Sequence, residues 1–221
     1  TPSRMWLDHV FANVFGMEER LNASTADSYY DTIDEALKSD AYKPRALFER
    51  FNIEVIATTE GPTDSLEHHE AILASGWTGG RVISAYRPDA VIDPEHEQFK
   101  GAMIAFGEIT GEDVFNWKGY LNAHRKRRED FIRIGTTSSD HGHITARTAD
   151  LSNADAEHLF LKIVSDDFTA EDAELFRAQM LTEMARMSLD DGLVLQIHPG
   201  AFRNHNQALF ESHGRDKGAD V

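Results

Sequence analysis

"FNIEVIATTEGPTDSLEHHEAILASGWTGGRVISAYRPD" (residues 51–89) changes its hydrophobic period twice, and those changes decide the fold. "IEVIATT" (53–59) is short, apolar and β-branched, and predicts a buried strand. "GPTD" breaks it. Asp64 stands where it can cap a helix running through "SLEHHEAILA". "RVISAYRPD" (81–89) then predicts a second strand. Strand, helix and strand in that order form a βαβ unit, which implies a parallel sheet.

The pattern extends in both directions. Upstream, Trp6, Val10 and Val14, with Phe11 and Phe15, recur at helical spacing. A second helix is expected over residues 26–38, with Tyr30, Ile33 and Leu37 on one face. Pro44 can occupy the first turn of a third. Residues 1–50 therefore read as a helical segment, and 51–221 as the strand-and-helix part.

Downstream, residues 94–133 read as mostly helical. A weak third strand lies around residues 134–140. A long helix follows from Glu171 to Ser188, with Phe176, Met180, Met184 and Met187 in one stripe. Asp191-Gly192 ends it, and "LVLQIHPG" (193–200) is the fourth strand. The resulting fold class is α/β.

Polar residues gather at the carboxyl end of each strand: Thr58-Thr59, Arg87-Pro88-Asp89, Asp140-His141 and His198. A (β/α)₈ barrel keeps its active site at that edge, and an open doubly wound sheet binds ligands there too. The absence of a G-x-G-x-x-G or P-loop pattern argues against nucleotide-binding versions of the open sheet.

Composition narrows the function. A formal net charge of -16 disfavours nucleic acid and anionic membrane surfaces as partners. It leaves room for a small anionic substrate, because a few local arginines can dominate one pocket. The absence of cysteine removes disulfides, thiolate metal sites and cysteine nucleophiles, and fits a reducing, cytoplasmic setting. No apolar run approaches the roughly 18 residues of a membrane-spanning helix. The opening Thr1-Pro2-Ser3-Arg4, without an initiator methionine, suggests an internal piece of a longer protein.

Each candidate site residue has a functional and a plainer reading. His141 and His143 could bind zinc, with Asp140 or His198 completing the site. For His143 a solvent-facing strand-end loop is the plainer choice. Asp140 and His141 end a strand, and the two readings stay balanced. His198 can be a ligand, a general acid/base or a hydrogen-bond donor to substrate, against a structural histidine. Arg87 can hold a carboxylate bidentately, or simply pair with Asp89. Arg203, Asn204 and Asn206 could bind a polyol or carboxylate, or merely cap an irregular loop. The basic run "HRKRRED" (124–130) reads as a solvated helix face, and His68-His69 as an improbable metal pair.

Taken in order, "FNIEVIATTEGPTDSLEHH", "YRPD", "RREDFIRIGTTSSDHG" and "QIHPGAFRNHN" resemble uronate isomerase, also called glucuronate isomerase, of the amidohydrolase superfamily. "TPSRMWLDHVFANVFG" is similar to that family's helical segment. The resemblance implies a partial (β/α)₈ TIM-type barrel made of the central strands only, preceded by a helical N-terminal segment. It implies aldose–ketose isomerisation of a uronate sugar, D-glucuronate to D-fructuronate or D-galacturonate to D-tagaturonate, in hexuronate catabolism. It also implies zinc or another divalent metal.

The family's His-x-His metal pair would lie upstream of residue 1, and its last-strand aspartate downstream of residue 221. The metal ligands within this chain are therefore left open, with His198 one possibility. By the same resemblance Arg87, Arg203 and Asn204 are substrate-binding, and Asp140, His141 and His198 catalytic. A metal-dependent hydrolase of the same superfamily, or a non-catalytic piece that self-associates as a homo-oligomer, are the alternatives.

Overall fold

A computed structural model describes residues 1–214 and Lys217. In chain order the helices and strands are α1 (Pro2–Phe15), α2 (Ala26–Lys38), α3 (Pro44–Arg50), β1 (Val55–Glu60), α4 (Glu67–Ala74), β2 (Arg81–Tyr86) and α5 (Asp89–Ile92). They continue with α6 (Phe99–Thr110), α7 (Trp117–Arg133), β3 (Ser138–His141), α8 (Asn153–Val164), α9 (Ala170–Asp191), β4 (Val194–Ile197) and α10 (Gln207–His213).

The chain divides into two compact units, residues 1–56 with 77–81, and residues 57–76 with 82–221. In the first, aromatic side chains do most of the packing. Phe11 meets Tyr29 edge-on at 5.1 Å, Phe15 stacks on Tyr42 at 5.4 Å, and Phe48 meets Trp77 at 4.9 Å. The Tyr42 hydroxyl donates to the Val14 carbonyl at 2.6 Å, tying α1 to the turn before α3.

Among the described residues the strands form one four-stranded sheet in the order β1-β2-β3-β4. β2 pairs with β3 in parallel, Tyr86 opposite Ser139, and β3 with β4 in parallel, Ser138 to His141 opposite Val194 to Ile197. This register positions the site. One step beyond Tyr86 brings Arg87 level with Asp140, and His198 continues β4 on the same face as Gln196. Alternation sends Tyr86, Ser139 and His141 to the opposite face, under the helices. All three are fully buried there.

The core of the second unit lies between the sheet and α6 to α9. Tyr120 of α7 stacks on Phe160 of α8 at 4.8 Å, with Phe106 and Phe176 beside it. Asn116 starts α7 by accepting the Gly119 N–H at 2.8 Å. Thr169 and Asp172 form a reciprocal capping box on α9, which Gly192 ends in the left-handed region at φ 79°. No helix among the described residues is long and apolar enough to cross a membrane.

Several expectations change. β1 is the sheet's edge, and its Val55 and Ile56 are exposed rather than buried. With a neighbour on one side only, a β-branched run cannot bury both faces. Asp64 does not cap α4; its carboxylate accepts the Gly61 N–H at 2.7 Å, and Leu66 occupies the cap position at φ 57°.

The run 124–130 is not a solvated face, since His124, Arg127 and Arg128 are buried. Arg128 forms a two-point pair with Asp191 at 2.5 and 2.9 Å, and Arg127 donates to the Pro62 carbonyl at 2.7 Å. Guanidinium groups can be buried when each donor finds an acceptor. α8 and α10 have no counterpart among the expected elements.

Candidate functional site

At the carboxyl edge of the sheet a cavity of about 490 Å³ is lined by Thr59 to Gly61 at the end of β1, Arg87 and Asp89 just after β2, and Gly142 to Ile144 after β3. Asp93 and His96 after α5, Arg177 of α9, and Arg203 and Asn204 after β4 complete the lining with Ala90 and Ile92. The sheet register explains the convergence, because parallel strands deliver all their carboxyl ends to one side.

Arg87 sits between two acids. Its Nε donates to Asp89 Oδ2 at 2.8 Å, and its Nη1 lies 3.6 Å from Asp140 Oδ2. Asp140 also faces His198, whose Nε2 is 3.1 Å from Oδ1 and 3.2 Å from Oδ2. Asp140 thus links the guanidinium of β2's end to the imidazole of β4's end. The His198 side chain is 42% exposed, so it can still meet a ligand.

His141 lies on the other face, fully buried, with Nε2 3.1 Å from Ser139 Oγ. Burial, followed by the nearby His143, Arg128, His198 and Arg87, pushes its pKa down to about 3. It is therefore neutral throughout the physiological range. His143 is buried as well and lines the cavity, which corrects the expectation of a solvent-facing loop. Burial lowers its pKa, while Asp89, Asp93 and Glu174 pull the other way.

One ligand-type atom from each of Asp89, His141 and His143 lies within 4.8 Å of the others. His141 Nδ1 and His143 Nε2 are buried without a hydrogen-bond partner. Two neutral imidazoles and a carboxylate are a donor set that suits a zinc-like divalent ion. His198 is outside this trio.

Arg177 forms a second charged wall. It donates to Asp93 at 2.7 Å, Glu95 at 2.8 Å and Glu174 at 3.0 Å. Burial opposes its charge, but these acids together outweigh burial and hold its pKa above the usual value. Beneath β1's end, Thr58 Oγ1 lies 2.8 Å from His69 Nε2 and donates to Glu60 Oε2 at 2.8 Å. Ser84 also donates to Glu60.

Of the residues singled out in the sequence, Arg87, Arg203 and Asn204 share the cavity wall, and Asp140 and His198 pair beside Arg87. His141 is buried on the other face of the sheet, with a ring nitrogen within 4.8 Å of ligand-type atoms of Asp89 and His143. Asp89 was legible as a polar strand-end residue and as an ion-pair partner of Arg87. Glu60, Asp93 and Arg177 were not legible, because nothing local marks a helix arginine such as Arg177 as facing a cavity.

A parallel strand-and-helix array in sequential order, with a charged cavity at its carboxyl edge, has the arrangement of part of a TIM-barrel-type α/β domain. The chain belongs to the glucuronate isomerase family, whose model matches residues 1–221. It is 68% identical over its whole length to a uronate isomerase of Phenylobacterium zucineum and 66% identical to one of Xanthomonas axonopodis pv. citri. It covers 46% and 47% of those proteins, so it spans about half the length of the curated relatives it matches.

The crystal structure of glucuronate isomerase from Caulobacter crescentus superposes on the whole chain with a TM-score of 0.98 at 65% identity, and the chain covers 46% of it. The uronate isomerase structure from Thermotoga maritima gives 0.93 at 25% identity, with 49% covered. The fold is therefore that of part of such a barrel.

Proposed function

We propose that this segment supplies the central strands and a large part of the active site of a uronate isomerase. That enzyme would convert D-glucuronate to D-fructuronate and D-galacturonate to D-tagaturonate. The observation that supports this reading best is the Arg87–Asp140–His198 chain at the rim of a cavity that also holds Arg203.

The chemistry asks for these groups. A uronate carries a carboxylate, and in a protein of net charge -16 it needs local cations to hold it. Arg87, fixed by Asp89 and Asp140, has the planar fork that grips a carboxylate, and Arg203 stands on the same wall. Moving the carbonyl from C1 to C2 removes the proton on C2 and places one on C1, through an enediol. His198, oriented by Asp140, is the base that carries that proton. Asn204 donates to sugar hydroxyls. His141, neutral and buried, supports the strand end that carries Asp140. A divalent metal, zinc by the family resemblance, would supply polarisation of the sugar carbonyl when bound.

Val194 and Ile197 are exposed along β4. That apolar edge supports burial against further barrel strands or a second copy of the chain. The lack of cysteine supports a cytoplasmic setting.

The test is a chimera in which residues 1–221 replace the matching segment of the Caulobacter crescentus enzyme. Ketose formation from D-glucuronate that is lost in His198→Ala is the expected result. A folded chimera without turnover would overturn the reading.

A further inference from the structure

We propose that Asp89, His141 and His143 form a binding site for one zinc-like divalent cation, built from this chain's own residues at the neighbouring carboxyl ends of β2 and β3. The inference does not depend on the isomerase reading, since a cation can bind there without turnover.

Three observations carry it. First, one ligand atom from each residue lies within 4.8 Å of the other two. Tetrahedral zinc with bonds of about 2.0–2.1 Å needs ligand atoms about 3.4 Å apart, so closing the site asks for side-chain shifts of about 1 Å. Second, His141 Nδ1 and His143 Nε2 are buried nitrogens with no hydrogen-bond partner. His141 is fully buried and His143 is 8% exposed. Buried polar atoms are as a rule met by a partner, so these two nitrogens call for one. Third, the outer contacts suit ligation. Ser139 Oγ lies 3.1 Å from His141 Nε2, and with that nitrogen donating, Nδ1 presents its lone pair.

Asp89 supplies the anionic ligand. Its Oδ2 accepts from Arg87 at 2.8 Å, and the Gly142 N–H lies 3.2 Å from each carboxylate oxygen. Gly142 lets the Arg87 and Asp89 side chains approach the backbone closely. A Cβ there would stand 2.5 Å from Arg87 Nη2 and 2.8 Å from Asp89 Oδ2. The Arg87 and Arg177 guanidiniums oppose a cation, but Asp93 and Glu174 also face His143. His143 and Asp89 line the cavity, so the fourth position opens toward it.

The experiment titrates the chelator-stripped 221-residue chain, taken in conditions where a cooperative urea transition shows it folded, with Co²⁺, reading the visible absorption of low-symmetry cobalt, then displaces it with Zn²⁺. One equivalent should bind. Asp89→Asn and His143→Ala should each weaken binding at least tenfold, and Ser139→Ala about tenfold through His141. The exposed-site control His158→Ala should bind as the parent does. Far-UV circular dichroism checks that each variant keeps the parent's fold, and His143→Gln stands in if His143→Ala does not. Absence of saturable binding would overturn the site, as would affinity unchanged in both Asp89→Asn and His143→Gln.

Discussion

Two arginine–aspartate clusters in the second unit use the same chemistry to opposite ends. Arg128 and Asp191 join α7 to the end of α9, with the arginine side chain 1% exposed and Ser188 taking another of its donors at 3.0 Å. Arg87 and Asp89 meet at the sheet edge, with side chains 34% and 23% exposed and a cavity in front of them. The first guanidinium is fully committed to the fold. The second is aimed but remains reachable. Burial, not pairing, separates a structural ion pair from one that can receive a ligand.

The sharpest way to break this contrast is to remove the acid from each pair. Asp191→Ala strands the buried Arg128 charge and should cost about 3 kcal/mol, at the lower end for buried pairs because Asp191 is partly exposed. Urea denaturation measures it, and Asp89→Ala should stay below about 1 kcal/mol. Equal losses would erase the distinction.

Acid should weaken the buried side next. Burial holds the pKa of His124 well below its ordinary value, with Arg128 the next contributor. Below pH about 6.5 the unfolded chain binds a proton that the folded chain refuses, so stability falls as pH falls. The slope should reach about 1.4 kcal/mol per pH unit for this residue. Urea midpoints between pH 7 and 5 test the sign, and His124→Gln should flatten the profile.

A smaller effect belongs to the far end of the helix that carries Asp191. Thr169→Ala removes the α9 cap and should cost about 1 kcal/mol, read as a modest drop in thermal midpoint. The same substitution should leave the properties of the Arg87 cavity unchanged. A shift in ligand affinity there would show that the two clusters are coupled through α9.

What was legible in the sequence follows the same division. Strand ends announce themselves, because a β-branched run that stops at a charged residue marks both a sheet and its edge. Arg87, Asp140 and His198 were readable for that reason. Burial inside long helices does not announce itself. Arg127 and Arg128 look like surface cations until Pro62, Asp64 and Asp191 arrive from distant segments to satisfy them. Arg177 was hidden in the same way, since two of its three acids, Asp93 and Glu95, come from far upstream. β1 was misjudged because a buried strand and an apolar edge strand have the same local composition. His143 became meaningful only when Asp89 was folded against it.

The most direct test of the central claim is the Michaelis constant for D-glucuronate of the chimera carrying Arg87→Ala, measured alongside its thermal midpoint. The account predicts a rise of at least tenfold with the midpoint within a few degrees of the parent, because this arginine serves the ligand and contributes about 1 kcal/mol or less to folding. An unchanged Michaelis constant, or a collapse in stability, would make Arg87 another Arg128 and contradict the account.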